Sequence, residues 1–225
     1  IDDIIIAGND DLATFREALR LFATGVGRRI VITGGFGRLT EPLIQSGVQA
    51  GYGVRVHPHY TVRTTAQLAR IMPLLKDENK RRNIVHASEA EMIRQVMEQM
   101  IEDGALLSRF KGTVILEEAS AHTRANFDNY RKILKEEGGL ARGRVYKVVY
   151  IQTPLQQFRT KATFHAAFED EIRNGLVQGI SHTIDYQFDN VDEALIARLI
   201  GEMWRLIVYV AIGQKQSTVG QVIDK

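Results

Sequence analysis

The 225 residues carry 29 lysines and arginines against 27 aspartates and glutamates, a net charge of +2, and 44% of them are hydrophobic. So balanced a chain has no single-sign field of the kind that draws nucleic acid or an anionic membrane. With no cysteine, disulfides, thiolate metal sites and thiol nucleophiles are excluded, which suits a reducing compartment and makes the cytoplasm the expected location. The length fits one α/β domain, residues 1–225, with a helical region from about 190 to 225 packed on its body. No apolar run reaches the ~18 residues of a spanning helix, so no membrane segment is expected within the chain. It opens at Ile1, almost directly on a strand, which fits a chain that once continued upstream, with an anchor there left open.

Asp3 to Ala7 is a short apolar run bounded by polar residues, the pattern of a strand buried on both faces. From Asp11, the spacing of Leu12, Phe15, Leu19 and Phe22 predicts an amphipathic helix ending at Gly25, and Arg29 to Thr33 reads as a second buried strand. Strand, helix and strand in this order form a βαβ unit. Between Arg38 and Asn83 the pattern weakens: Gly47, Gly51, Gly53 and Pro58 punctuate a loop, and one helix is expected over Thr64 to Leu75. The mixed charges of Lys76 to Arg82, without interleaved aromatics, read as a solvated loop or helix end.

Ser88-Glu89-Ala90-Glu91 has the form of a capping box, opening a helix with Ile93, Val96, Met97 and Met100 inward and Gly104 as its stop. Thr113 to Leu116 is a third strand, followed by a helix over Thr123 to Glu136 and a fourth strand over Val145 to Ile151. A helix from Phe158 to Ile172, an alternating strand from Ile180 to Phe188 and a long helix from Asp192 to Ile212 complete the expectation. The alternation predicts an open, mainly parallel, Rossmann-like sheet with helices against it.

In such sheets ligands sit beyond the carboxyl ends of the strands, and four strands here run into polar or glycine-rich turns. Gly34-Gly35-Phe36-Gly37 follows the second strand. Its glycines permit positive φ and close backbone approach, as in an anion-binding nest, and a plain tight turn is the alternative. The loop matches neither a Walker motif nor G-x-G-x-x-G, which disfavours a P-loop enzyme or a dehydrogenase. After the first strand comes Gly8-Asn9, where Asn9 suits a helix cap as well as a ligand contact.

Glu117 to Asn126 leads from the third strand into a helix; Ser120 and Thr123 both suit its N-cap, and Glu117 suits the positive end of the helix. Thr123 and Asn126 share a helical face, so with Glu117 they offer a polar wall toward the glycine loop. Gln152 to Arg159 makes a further strand-to-helix turn. Arg159, in the first turn of the predicted helix, opposes the helix dipole, which points to a ligand carboxylate or phosphate, with a surface arginine as the alternative. His57-Pro58-His59-Tyr60 and Arg63-Thr64-Thr65 suit a lid, and the histidine spacing does not suggest a metal site. No Ser-His-Asp set and no G-x-S-x-G is present.

Taken in order, Ala7-Gly8-Asn9, Thr33-Gly34-Gly35-Phe36-Gly37, Glu89 on the following helix, Glu117 to Asn126 and Arg159-Thr160-x-Ala162-Thr163-Phe164 resemble the family typified by YdcF and by the vancomycin-exclusion protein SanA. With His57-Pro58-His59-Tyr60 and Arg63-Thr64-Thr65, the likeness is to the YdcF branch and covers roughly Asp3 to Phe168. It implies a three-layer α/β/α sandwich and, for that branch, binding of S-adenosylmethionine without an established methyl acceptor. The envelope branch implies membrane-tethered proteins of cell-wall or lipid-carrier metabolism. His122, Ala125 and Gln156 stand where the family patterns have Asn, Glu and, in many envelope members, His.

The expectation is therefore a small-molecule-binding protein that uses Gly8, Asn9, Gly34, Gly35, Gly37, Glu89, Glu117, Ser120, Thr123, Asn126, Gln152 and Arg159, with Glu117 toward a ribose and Arg159 toward a methionine carboxylate. Neither a metal nor nucleic acid is expected to take part, and the oligomeric state is left open. The alternative is an enzyme acting on a phosphorylated or cell-envelope substrate with Glu89 or Glu117 as acid/base.

Overall fold

A computed structural model describes residues 1–37, 39–140, 143–184, 196 and 199–204. The predicted helix over Asp192 to Ile212 falls outside them, apart from residues 196 and 199–204, which are helical. The region expected to pack on the body from about 190 onward is otherwise undescribed.

The five-stranded sheet is parallel throughout, in the order β5-β2-β1-β6-β7. Its strands are β1 (Asp3–Ala7), β2 (Arg29–Thr33), β5 (Val114–Glu117), β6 (Tyr146–Gln152) and β7 (Val177–Thr183). Chain order reverses between β1 and β6, the switch point at which doubly wound sheets open a crevice. Helices cover both faces. Ile4, Ile6, Ile30, Ile32, Val149 and Ile151 meet α1 (Leu12–Ala23), α2 (Thr40–Gln49) and α5 (Glu89–Met100) on one side. Ile5, Val31, Val148 and Tyr150 meet α7 (Thr123–Glu136) and α8 (Pro154–Ala167) on the other. Burial of both sheet faces is why β1 and β2 read as unbroken apolar runs. A Rossmann-like α/β/α sandwich is the result.

The stretch expected to be mostly loop holds more structure than its glycines suggested. It contains α2, an antiparallel hairpin of β3 (Val54–His57) and β4 (Tyr60–Val62), then α3 (Thr65–Lys76) and α4 (Glu78–Ile84). Gly47 does not break α2; it lets the helix lie against β3, since a Cβ there would come within 2.7 Å of Val54. Gly104 likewise does not end a structured region. It opens α6 (Gly104–Thr113), whose first N–H groups are capped by Asp103. The helix expected over Phe158 to Ile172 starts earlier, at Pro154, because proline suits the first turn, and after Ala167 it gives way to α9 (Glu169–Arg173). The last strand pairs with β6 from Val177 to Thr183 and so begins before the expected Ile180, while residues 185–188 of that expectation lie outside the described residues.

The amino edge of the sheet is closed by one buried carboxylate. Asp3, with no exposed surface, accepts hydrogen bonds from Arg29 Nε (2.8 Å), Tyr130 Oη (2.7 Å) and Tyr146 Oη (3.0 Å). Burial, and then the charge of Asp3, hold the Tyr130 hydroxyl well above its ordinary pKa, so it stays a donor. The network joins β1, β2, β6 and α7. Asp3→Ala should cost about 3–5 kcal/mol, the usual result of removing one partner from a buried ion pair. Urea denaturation measures it, and a loss below about 1 kcal/mol would show that the network contributes little.

Candidate functional site

The opposite, carboxyl edge is built around the turn that follows β2. Gly34 N–H donates to the Glu117 carbonyl (2.9 Å) and Gly35 N–H to that of Ser120 (2.7 Å). Their own carbonyls accept from the first two N–H groups of α5, Ala90 to Gly34 (2.8 Å) and Glu89 to Gly35 (2.8 Å). Gly8 N–H donates to the Thr33 carbonyl (2.8 Å). One turn thus ties together the ends of β1, β2 and β5 and the start of α5. Glycine is required here: Gly34 has φ +147, and a Cβ on Gly35 would sit 2.6 Å from the Glu118 carbonyl oxygen. The expectation that the Gly34 and Gly35 amides face a ligand is corrected by this bonding, because both are committed to the protein's own carbonyls. Gly37 N–H, for its part, bonds Thr40 Oγ1 (3.3 Å).

What the junction positions is Glu89. As the first residue of α5 it is buried at 5% exposure, and its Oε1 accepts from Thr40 Oγ1 (2.9 Å). Burial pushes its pKa up to about 6, only partly offset by the Thr40 hydroxyl, the Gly37 N–H and the charge of Arg81. The capping box expected before it is half formed: Ser88 Oγ accepts from Glu91 N (3.0 Å), while the Glu91 carboxylate turns to Arg94 and Gln95. The Ser88 hydroxyl also donates to Glu118 Oε1 (2.7 Å), tying α5 to the turn after β5.

Gly8 lies between Glu89 and α7. A Cβ on it would stand 3.3 Å from Asn126 Nδ2 and 3.8 Å from Glu89 Oε2, so carboxylate and amide both converge on the bare backbone of Gly8. Asn126 is itself buried and is oriented by the Ser120 hydroxyl, which donates to its Oδ1. One turn earlier, Thr123 Oγ1 accepts from Arg159 Nη1 (2.6 Å). The N-cap of α7 is His122, through Nδ1, and neither Ser120 nor Thr123. Because α8 begins at Pro154, Arg159 lies in its second turn, and the helix-dipole argument made for it does not apply. Its guanidinium forms a fork with Glu202 instead, Nε to Oε2 at 2.6 Å and Nη2 to Oε1 at 3.3 Å.

At the switch point, Asn9 is engaged by its own turn and by the end of β6. Its Oδ1 accepts from Asp11 N (2.9 Å), and its Nδ2 reaches Thr14 Oγ1 (3.2 Å) and Gln152 Oε1 (3.4 Å). Gln152 also donates to the Ala7 carbonyl (3.3 Å). Glu117 is buried; its Oε1 accepts from Ala119 N and Asn129 Nδ2 (both 2.9 Å), and its Oε2 has no partner among the described residues. The structure therefore brings Gly8, Gly34, Gly37, Glu89, Ser120 and Asn126 to one point, with Thr123 and Arg159 a helical turn away. Asn9, Gln152 and Glu117 line the supporting wall.

Thr40, which holds Glu89, and Glu202, which holds Arg159, did not emerge from the sequence. Thr40 carried only a T-E dipeptide in a weakly patterned stretch, and Glu202 sat in a long helical pattern with nothing to single it out. The rings of His57 and His86 meet edge to face at 4.5 Å, and no group of acidic or histidine residues among those described is arranged to hold a metal ion. No family model matches the chain, and no curated protein matches it.

The raised pKa of Glu89 makes a signed prediction. Between 4.5 and about 6 the folded protein holds this proton more tightly than the unfolded chain does, so the contribution of Glu89 to stability falls as pH rises through that window. Glu89→Gln should therefore be more stable than the parent at pH 7.5 by up to about 2 kcal/mol. The gap should close toward pH 4. Parallel denaturation profiles across this range would contradict the assignment.

Proposed function

We propose that this chain is a small-molecule-binding protein of the YdcF-like type that holds a nucleoside-bearing ligand, S-adenosylmethionine foremost, at the carboxyl edge of its sheet. One observation carries the proposal: the convergence of the Glu89 carboxylate and the Asn126 amide on the bare backbone of Gly8 at the carboxyl edge of the sheet. An acceptor and a donor facing each other across bare backbone suit a ligand rich in hydroxyl and amine groups. Glu89 accepts from the ribose or from a ligand amine, Asn126 donates, and Arg159 is the cation for the methionine carboxylate. The ribose role first given to Glu117 passes to Glu89, because Glu117 Oε1 already holds two donors.

The glycine turn of common methyltransferases follows the first strand, whereas here the main one follows β2, so the ligand lies differently from theirs. No helix among the described residues is long and apolar enough to cross a membrane, and a cytoplasmic location belongs to the proposal. A second reading, an enzyme for phosphorylated or cell-envelope substrates, is favoured by one feature: a buried carboxyl with a pKa near 6 is poised for proton transfer at neutral pH.

Thermal shift with S-adenosylmethionine and with nucleotides tests the first reading. At 100 times its dissociation constant the ligand adds about 2.7 kcal/mol of stability. Asn126→Ala should weaken binding about tenfold, as loss of one net hydrogen bond does. Absence of any shift, or equal affinity in Asn126→Ala, would remove the proposal. The second reading predicts turnover on a phosphoester panel that rises with pH through about 6 and is lost in Glu89→Gln.

A further inference from the structure

Arg159 is the candidate anion-binding group, and each of its three guanidinium nitrogens is engaged. Nε and Nη2 face the two oxygens of Glu202, and Nη1 faces Thr123 Oγ1. The Nε/Nη2 edge is the fork that planar carboxylates fit, and a carboxylate from the protein's own carboxyl-terminal part occupies it. The pair is well buried, with side-chain exposures of 14% for Arg159 and 10% for Glu202. Desolvation of this order makes it a committed contact, unlike the exposed i,i+4 pair of Arg173 and Glu169.

The apolar side chains of the segment that delivers Glu202 are poorly buried. Leu199, Ile200, Met203 and Trp204 stand 44%, 61%, 55% and 60% exposed. Its apolar side chains face outward, and its carboxylate faces in. These four side chains give up little apolar contact when the turn moves aside, and the pair with Arg159 is one contact that holds its carboxylate in place.

We propose that Arg159 and Thr123 form a carboxylate subsite that Glu202 fills from within, so that a carboxylate-bearing ligand binds by displacing the 199–204 segment. The proposal rests on the ligand-binding function inferred above and defines the ligand class further: the Arg159 end of the site selects a carboxylate, because Glu202 is one. A guanidinium fork also takes two oxygens of a phosphate; what favours a carboxylate at this end is that the Glu202 carboxylate already fits it. Glu202 then acts as an internal competitor. The apparent affinity of a carboxylate ligand is lowered by the fraction of protein in which the fork is closed, while a ligand lacking the carboxylate has no need to open it.

The test compares S-adenosylmethionine with 5′-methylthioadenosine, which keeps the adenosine and the methylated 5′-sulfur, as a neutral thioether in place of the sulfonium, and has neither carboxylate nor amine. Dissociation constants for the full chain and for Glu202→Gln are measured by calorimetry. Glu202→Gln should bind S-adenosylmethionine about tenfold more tightly, with 5′-methylthioadenosine unchanged. Trp204, the only tryptophan in the chain, lies two residues from Glu202 and supplies a second readout. Its fluorescence should change when S-adenosylmethionine binds the parent protein and stay constant with 5′-methylthioadenosine.

Should Glu202→Gln fold poorly, with Arg159 left unpaired, the double variant Arg159→Gln/Glu202→Gln removes both charges. It should lose the preference between the two probes. Binding of both probes with no gain in Glu202→Gln and no Trp204 response overturns the displacement proposal and leaves the nucleoside function standing. An equal gain for both probes overturns the carboxylate selectivity. Failure of both probes to bind any of the proteins overturns the function itself, and this proposal with it.

Discussion

The carboxyl edge depends on a backbone junction rather than on any side chain. In the Gly34-Gly35 turn two N–H groups and two carbonyls are all used, the first pair by the turn after β5 and the second by the first turn of α5. Helix N-termini carry N–H groups without intrahelical partners. Here two of those belonging to α5 are satisfied by the turn itself, which fixes where the helix begins and therefore where Glu89 stands. A side chain on Gly35 would meet the Glu118 backbone at 2.6 Å, so the loops could not close to this distance with any other residue. The position of the buried carboxylate follows from the absence of a Cβ two segments away.

The two edges of the sheet use carboxylates in opposite ways. Asp3, at the amino edge, is surrounded by an arginine and two tyrosine hydroxyls, and its burial is compensated. Glu89 is similarly buried, yet its described donors do not offset desolvation, and its pKa rises to about 6. A group kept where its charged form is disfavoured is a common mark of a functional position. That contrast, more than the number of polar residues, separates the site from the scaffold in this protein.

Much of the fold was legible because the parallel strands are buried on both faces and their sequences are correspondingly apolar, as in Ile4-Ile5-Ile6 and Ile30-Val31-Ile32. Glycine misled at two places: Gly47 lies inside α2, where it serves close packing against β3, and Gly104 opens α6 with nothing packed close to it. The candidate site was legible as a set of turns, since strand ends in a parallel sheet share one edge. The use of each residue was not. Sequence shows that Gly34 and Gly35 permit close approach, but whether a ligand or another strand's carbonyl does the approaching depends on the loop after β5, more than eighty residues on. The same limit hid Glu202, whose importance comes from the arginine it meets and from nothing in its own neighbourhood.

The central claim is that the glycine junction holds the Glu89 carboxyl desolvated beside Gly8 and Asn126, where a ligand at the carboxyl edge of the sheet meets it. Site-resolved NMR titration of the Glu89 side-chain carboxyl carbon tests it most directly. The expected midpoint is near 6 in the free protein, displaced when S-adenosylmethionine occupies the site. A midpoint at the ordinary glutamate value, indifferent to added ligand, would contradict it.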